Sequence, residues 1–140
     1  MDAVHPADLS RNTKAVQAYI DDPLVTKGKI VARTAIQLDK SFDLAKERRG
    51  EITCPLLLLH GDKDKCTSIK AAQEFFEHVG TDMRHKRFLQ LPGLYHELLE
   101  EGDASDEIMV GVVEFASSGG KQFAEIAGEE KNGLVSVVFK

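Results

Sequence analysis

The chain has 140 residues, 42% of them hydrophobic and 29% charged, with a net charge of −5 at neutral pH. That length suits one domain with a single core, and the composition excludes a disordered or membrane-spanning protein. The acidic balance argues against nucleic acid and anionic lipid as partners, because either favours a basic patch.

The one dense basic run, Arg84-His-Lys-Arg87, reads as a solvated strand entrance. Two cysteines, Cys54 and Cys66, make no disulfide framework and suit a reducing, cytoplasmic compartment. Cys54, just before Pro55, reads as a small buried hydrophobe; Cys66 reads as accessible but without an activating base in sequence. The longest uninterrupted apolar run is residues 56–59, far short of a membrane span. If the chain is a piece of something longer, its start carries no information on targeting.

In chain order, residues 1–12 lack periodicity and read as a mobile lead. Residues 13–20 form a short helix with Val16, Tyr19 and Ile20 on one face, stopped by Asp21-Asp22-Pro23. Residues 30–48 form a second helix, in which Val31, Ala35, Leu38, Phe42 and Ala45 make one apolar stripe opposite Lys40, Asp43, Glu47 and Arg48. After Gly50, residues 52–60 read as a strand. Its run Leu56 to Leu59 does not alternate, which predicts burial on both faces, as in a parallel sheet covered by helices.

Ser68 is the expected N-cap of a helix over residues 69–79, with Ile69, Ala72, Phe76 and Val79 facing inward, the Phe75-Phe76 pair in the core, and Gly80 as its C-cap. Residues 86–91 are the second strand, broken by Pro92-Gly93. Asp106 begins a last helix with Ile108, Val112 and Phe115 on one face and Gly111 as a weak point. Beyond it, residues 117–120 read as a linker, 123–127 as a marginal helical turn and 134–139 as a β-prone end.

A strand, a helix and a strand at this length predict a right-handed crossover between two parallel strands. Each strand ends in a Gly-containing turn that delivers a polar residue, Asp64 from the first and His96 from the second, 32 positions apart. Chemistry in open α/β sheets collects beyond the carboxyl ends of the strands. An Asp and a His placed there match the orienting acid and general base of a hydrolytic triad. Asp62 competes with Asp64 for the acid role. His60, Asp62, Asp64 and Cys66 alternate, but alternation in a tight turn scatters side chains and no zinc spacing is met, so no metal or cofactor is expected. His5, His78 and His85 are expected to be solvated.

The segments Pro55-Leu-Leu-Leu-Leu-His-Gly-Asp-Lys-Asp64, Pro92-Gly-Leu-Tyr-His-Glu-Leu98 and Ala18-Tyr-Ile-Asp-Asp-Pro-Leu-Val25 occur in that order. Together they resemble the monoglyceride-lipase and lysophospholipase branch of the α/β-hydrolases, which is often labelled serine aminopeptidase-like. The resemblance covers roughly residues 8–116. It implies the C-terminal part of an α/β-hydrolase sheet, with two parallel core strands and flanking helices, preceded by the end of a helical cap. It divides the chain into a cap remnant with its connecting helix (1–48), a core part (49–116) and a divergent, flexible tail (117–140). The family's His-Gly-x-x-Asp spacing selects Asp64 as the acid, with His96 as base, Asp62 as a turn residue and His60 as support beneath the turn.

The departure is in the nucleophile. None of the seven serines (Ser10, Ser41, Ser68, Ser105, Ser117, Ser118 and Ser136) has Gly two positions before it, and neither cysteine does. A nucleophile elbow therefore cannot be assigned, and the Gly-rich oxyanion segment is missing too. Two readings follow. One is a partial serine ester hydrolase that acts on a lipid or small ester when completed by an N-terminal half, inactive as an isolated chain, and reaching a membrane only through a cap. The other is a non-catalytic remnant with at most a binding role. Oligomeric state is not indicated.

Overall fold

The structure, a computed structural model, describes residues 4–26, 28–121, 130–131 and 134–136, the last two groups by backbone alone. Its main elements are helix α1 (Thr13–Asp21), helix α2 (Ala32–Arg48), strand β1 (Leu56–Gly61), helix α3 (Ile69–His78), strand β2 (Lys86–Leu91), helix α4 (Asp103–Ser117), and short strands β3 (Glu130–Lys131) and β4 (Leu134–Ser136). β1 and β2 pair in parallel from Leu56↔Lys86 to Gly61↔Leu91, connected through α3. The sheet order is β1-β2-β4-β3, with β4 parallel to β2 and β3 antiparallel to β4. This is an open α/β sheet whose central pairings are parallel, with the expected β1–α3–β2 crossover in place. The expected turn over residues 123–127 lies outside the described residues.

β2 sits between β1 and β4, so both of its edges are paired, and its two faces pack against α3 and α4. Phe88, Leu89 and Leu91 are all essentially buried. Pleating sends Phe88 toward α3, where its ring centroid is 5.7 Å from that of Phe76. Leu89 and Leu91 pack with Leu94, Ala104 and Ile108 on the α4 side, with Leu57, Leu59 and Val112 against them. Burying a side chain the size of Phe88 contributes about 1.5–3 kcal/mol. Double burial was expected of β1, and here the structure differs: Leu56 to Leu59 are only half-buried, because β1 is an edge strand. Its outer edge is unpaired among the described residues, since β4 extends the sheet beside β2.

Helix α3 is fastened at both ends. The Ser68 hydroxyl accepts from Ala71 N at 3.3 Å, as the sequence predicts. At the other end Lys86, read from sequence as solvated, is buried and donates from Nζ to the carbonyls of Phe76 (2.9 Å) and Val79 (3.1 Å). A cation at a helix C-terminus satisfies carbonyls that have no partner within the helix. Gly80 is not a left-handed cap. Its role is close approach, because a Cβ there would collide with the carbonyl oxygen of Gly50.

Other expectations shift for packing reasons. The α2 stripe is exposed: Val31 is 70% and Phe42 64% accessible. The principal contact of α2 is with the turn over Arg49–Glu51, so no described element covers its apolar face. Cys54 is exposed, not buried, because it precedes an edge strand. His85 is half-buried, with an unpartnered Nδ1, instead of solvated. Helix α4 starts three residues earlier than expected, at Asp103, and Gly111 lies on its buried face with Ala104, Ile108 and Phe115. No helix among the described residues is long and apolar enough to cross a membrane.

Gly80→Ala forces a methyl group against backbone at the α3–β2 connection, and overpacking of that kind costs about 1–3 kcal/mol. Urea unfolding should show that loss; an unchanged midpoint would contradict the close approach.

Candidate active site

The carboxyl ends of β1 and β2 open into two turns that lie against each other. Asp62 N donates to Leu91 O (3.0 Å), Lys63 N to Leu94 O (3.0 Å), and Gly93 N to Asp62 Oδ1 (2.6 Å). The turns can close this tightly because a Cβ at Gly61 would strike the carbonyl oxygens of Leu94 and Tyr95. Asp62 thus serves the turn, as expected. His60 is buried beneath it, with Nδ1 donating to Gly61 O at 2.9 Å and Nε2 lying 3.2 Å from the Thr67 hydroxyl.

Asp64 and His96, 32 positions apart in sequence, meet: His96 Nδ1 donates to Asp64 Oδ2 at 2.9 Å. The carboxylate accepts three further hydrogen bonds, from Cys66 N (2.7 Å) and Thr67 N (3.0 Å) on Oδ1 and from Thr67 Oγ1 (2.5 Å) on Oδ2. Burial alone would raise its pKa. The Thr67 hydroxyl, His96 and the two backbone donors outweigh burial and hold it at about 2, so Asp64 is an anion at neutral pH. Its side chain is 4% accessible and that of His96 31%. With Nδ1 committed to Asp64, the lone pair of neutral His96 is on Nε2. An imidazole held in this tautomer can accept a proton from an incoming hydroxyl.

The loop that carries His96 is braced by residues that sequence reasoning treated as a mobile lead. Leu9 and Ser10 are buried, Glu97 N donates to Leu9 O (2.8 Å), and Ser10 Oγ donates to Glu100 O (2.8 Å). Glu101, whose side chain is fully buried, accepts from Tyr95 N through Oε1 (2.7 Å) and from Arg11 Nε through Oε2 (2.7 Å). A buried carboxylate is stable only when paired and hydrogen-bonded. Arg11 and the backbone beside His96 supply those partners. Thr67 and Glu101 were both missed from sequence. The signal available for Thr67 was its position three residues after Asp64; for Glu101 there was only an acidic residue in an acidic stretch.

Two other features flank the pair. Cys66 is half-buried, and its thiol is pushed up by burial and then by the charges of Asp64, Asp8 and Glu97, consistent with a residue that is not a nucleophile. An open hollow of about 260 Å³ lies between α1 and the turn after His96, lined by Leu9, Val16, Tyr19, Val25 and Glu97 among others.

Glu101→Gln places an amide N–H against either the Tyr95 or the Arg11 donor. Leaving a buried donor unsatisfied costs about 1–3 kcal/mol. Hydrogen exchange at the Tyr95 amide should accelerate more than at β2 amides; equal protection in both proteins would contradict the brace.

Comparison with known proteins places these observations in a family. The sequence profile of the serine aminopeptidase, S33 family matches residues 2–103. The chain is 35% identical over 96 residues to the monoacylglycerol lipase of Mycolicibacterium smegmatis, covering 66% of this chain and 32% of that protein. Against the monoglyceride lipase of Rattus norvegicus it is 30% identical over 93 residues, covering 66% and 30%. The crystal structure of Paleococcus ferrophilus monoacylglycerol lipase superposes with a TM-score of 0.76 at 30% identity, covering 84% of this chain and 44% of that one. The chain thus spans about a third of the length of the curated relatives it matches. With the profile matching well over half of its residues, and with the parallel β1–α3–β2 unit in place, the chain belongs to the serine aminopeptidase, S33 family of α/β-hydrolases and is monoglyceride lipase-like.

Proposed function

We propose that this chain is the acid–base part of a serine ester hydrolase acting on a lipid-like carboxylic ester. The observation that carries the reading is the His96 Nδ1–Asp64 Oδ2 hydrogen bond at 2.9 Å, at the carboxyl ends of two parallel strands. In this reading Asp64 holds the imidazole in its Nδ1–H tautomer and stabilises the imidazolium formed during reaction. His96 Nε2 takes the proton of a serine hydroxyl as that oxygen attacks the ester carbonyl, then returns it to the departing alcohol. Water repeats the cycle on the acyl-enzyme. The hollow bordered by Glu97, with Leu9, Val16, Tyr19 and Val25 along its wall, offers apolar surface to a lipid-like substrate, and the lipase names of the relatives support the same substrate class.

The nucleophile and oxyanion donors have no counterpart among these 140 residues, because no serine or cysteine stands in a Gly-x-Ser-x-Gly-like setting. An oxyanion donor alone is worth about 3 kcal/mol of barrier lowering, so the isolated chain is proposed to be inactive. Residues 1–48 correspond to the end of a cap with its connecting helix, 49–116 to the C-terminal part of the core, and 117–140 to an added tail. The exposed α2 stripe and the β1 edge, unpaired among the described residues, favour a chain completed by an N-terminal half over a self-sufficient remnant.

Two experiments test this. A serine-directed fluorophosphonate should leave the isolated chain unlabelled; a clear adduct would reveal a nucleophile and reject the partial-site reading. Grafting residues 8–116 in place of the matching C-terminal part of the Paleococcus ferrophilus lipase should give an ester-hydrolysing chimera. In it His96→Ala should lower kcat by at least about 10³-fold, Asp64→Asn should be comparably damaging, and Asp62→Asn should be mild. Substantial turnover without His96, or Asp62→Asn exceeding Asp64→Asn, would overturn the assignments.

A further inference from the structure

The turn after β1 brings a third donor to the Asp64–His96 pair. Cys66 Sγ, a carboxylate oxygen of Asp64 and a ring nitrogen of His96 all lie within 4.8 Å of one another. Only His96 is distant in sequence, so the alternating His60, Asp62, Asp64 and Cys66 of the first turn could not reveal the group. The other members of that alternation are occupied elsewhere, Asp62 with Gly93 N and His60 with Gly61 O and Thr67.

A thiolate, an imidazole and a carboxylate are a donor set suited to zinc. Tetrahedral Zn²⁺ holds such donors roughly 3.3–3.6 Å apart. The 2.9 Å separation of His96 Nδ1 and Asp64 Oδ2 then opens by a few tenths of an ångström, and Cys66 Sγ closes by up to about 1 Å, within side-chain reach. Cys66 can make that movement, because among the described residues its thiol is held by one weak contact, with Asp8 O at 3.9 Å. The surroundings are anionic. Asp64, Asp8 and Glu97 all act on the thiol, while Lys65 is paired with Asp8 at 2.9 Å. Carboxylates gathered round the group favour a divalent cation set among them.

We propose that Asp64, Cys66 and His96 bind one thiophilic divalent cation, Zn²⁺ above all, which takes the place of the proton shared between His96 and Asp64. Cys66 loses its thiol proton to solvent and forms the S–Zn bond. His96 stays neutral as its proton moves from Nδ1 to Nε2, and Nδ1 becomes a ligand. Asp64 Oδ2 exchanges the imidazole N–H for the cation and keeps the Thr67 hydroxyl as donor. Water fills the fourth position, toward the half-exposed side of His96. One consequence rests on the reading of His96 as a base: with a proton on Nε2 it has no lone pair for a serine hydroxyl, so the bound cation switches the pair off.

The test uses the 140-residue chain and the metal alone. Calorimetric titration with Zn²⁺ in two buffers of different ionisation enthalpy should give one ion bound per chain and about one proton released. Co²⁺ should produce a thiolate-to-cobalt charge-transfer band in the near ultraviolet. Cys66→Ala should abolish that band and weaken Zn²⁺ binding by about tenfold or more, and His96→Ala should weaken binding similarly. Absence of Zn²⁺ binding would overturn the proposal, as would an affinity in both variants unchanged from that of the unsubstituted chain, which assigns the ion to surface carboxylates. None of these readouts requires hydrolysis. An inactive chimera alongside intact metal binding would reject the catalytic reading alone, and an active chimera without metal binding would reject this one alone.

Discussion

The carbonyl oxygens of Leu94 and Tyr95 rest where the side chain of any residue but glycine at position 61 would be. That contact is the tightest constraint on the molecule's functional end. Parallel pairing of β1 and β2 aligns the two strand ends, but pairing alone leaves their turns free to splay. Gly61 removes the obstacle, and the Asp62 carboxylate draws the Gly93 amide across the gap. Two residues with no chemistry of their own thereby set how close Asp64 and His96 can come.

Once the turns are closed, two buried carboxylates hold the site rigid from opposite sides. Asp64 is saturated by donors of its own turn and has one hydrogen bond left for His96. Glu101 does the same for the backbone beside His96, using Arg11 from the far end of the chain. Each carboxylate is an unfavourable group to bury unless its partners are in place, so each makes its loop geometry nearly all-or-none. The orientation of His96 is therefore inherited from the fold and needs no substrate to create it. The remainder of the molecule is less complete. Among the described residues β1 has an unpaired edge and α2 an exposed apolar stripe.

Much of this was legible in the sequence because it is local. The second strand, the Ser68 cap and the pairing of Asp64 with His96 follow from apolar runs, turn residues and spacing. What escaped depends on neighbours. Leu56 to Leu59 reads as doubly buried on any periodicity argument, but burial is set by the position of a strand in the sheet, and β2 took the centre. Lys86 reads as solvent-facing because lysine usually is; only the end of α3 arriving over it makes its burial favourable. The lead segment has no periodicity, since its stability comes from Leu9, Ser10 and Arg11 contacting residues about ninety positions later. Likewise Cys66 is unremarkable until His96 folds over it.

Everything else rests on the fold alone, without substrate or metal, holding the neutral form of His96 with its proton on Nδ1 and its lone pair on Nε2. Long-range ¹H–¹⁵N correlation spectra of the imidazole nitrogens of metal-free protein, recorded where the ring is neutral, measure this directly. The account predicts the Nδ1–H tautomer with a downfield-shifted proton, and loss of that shifted signal in Asp64→Asn. A predominant Nε2–H tautomer in the unsubstituted protein, or a spectrum indifferent to Asp64→Asn, would contradict it.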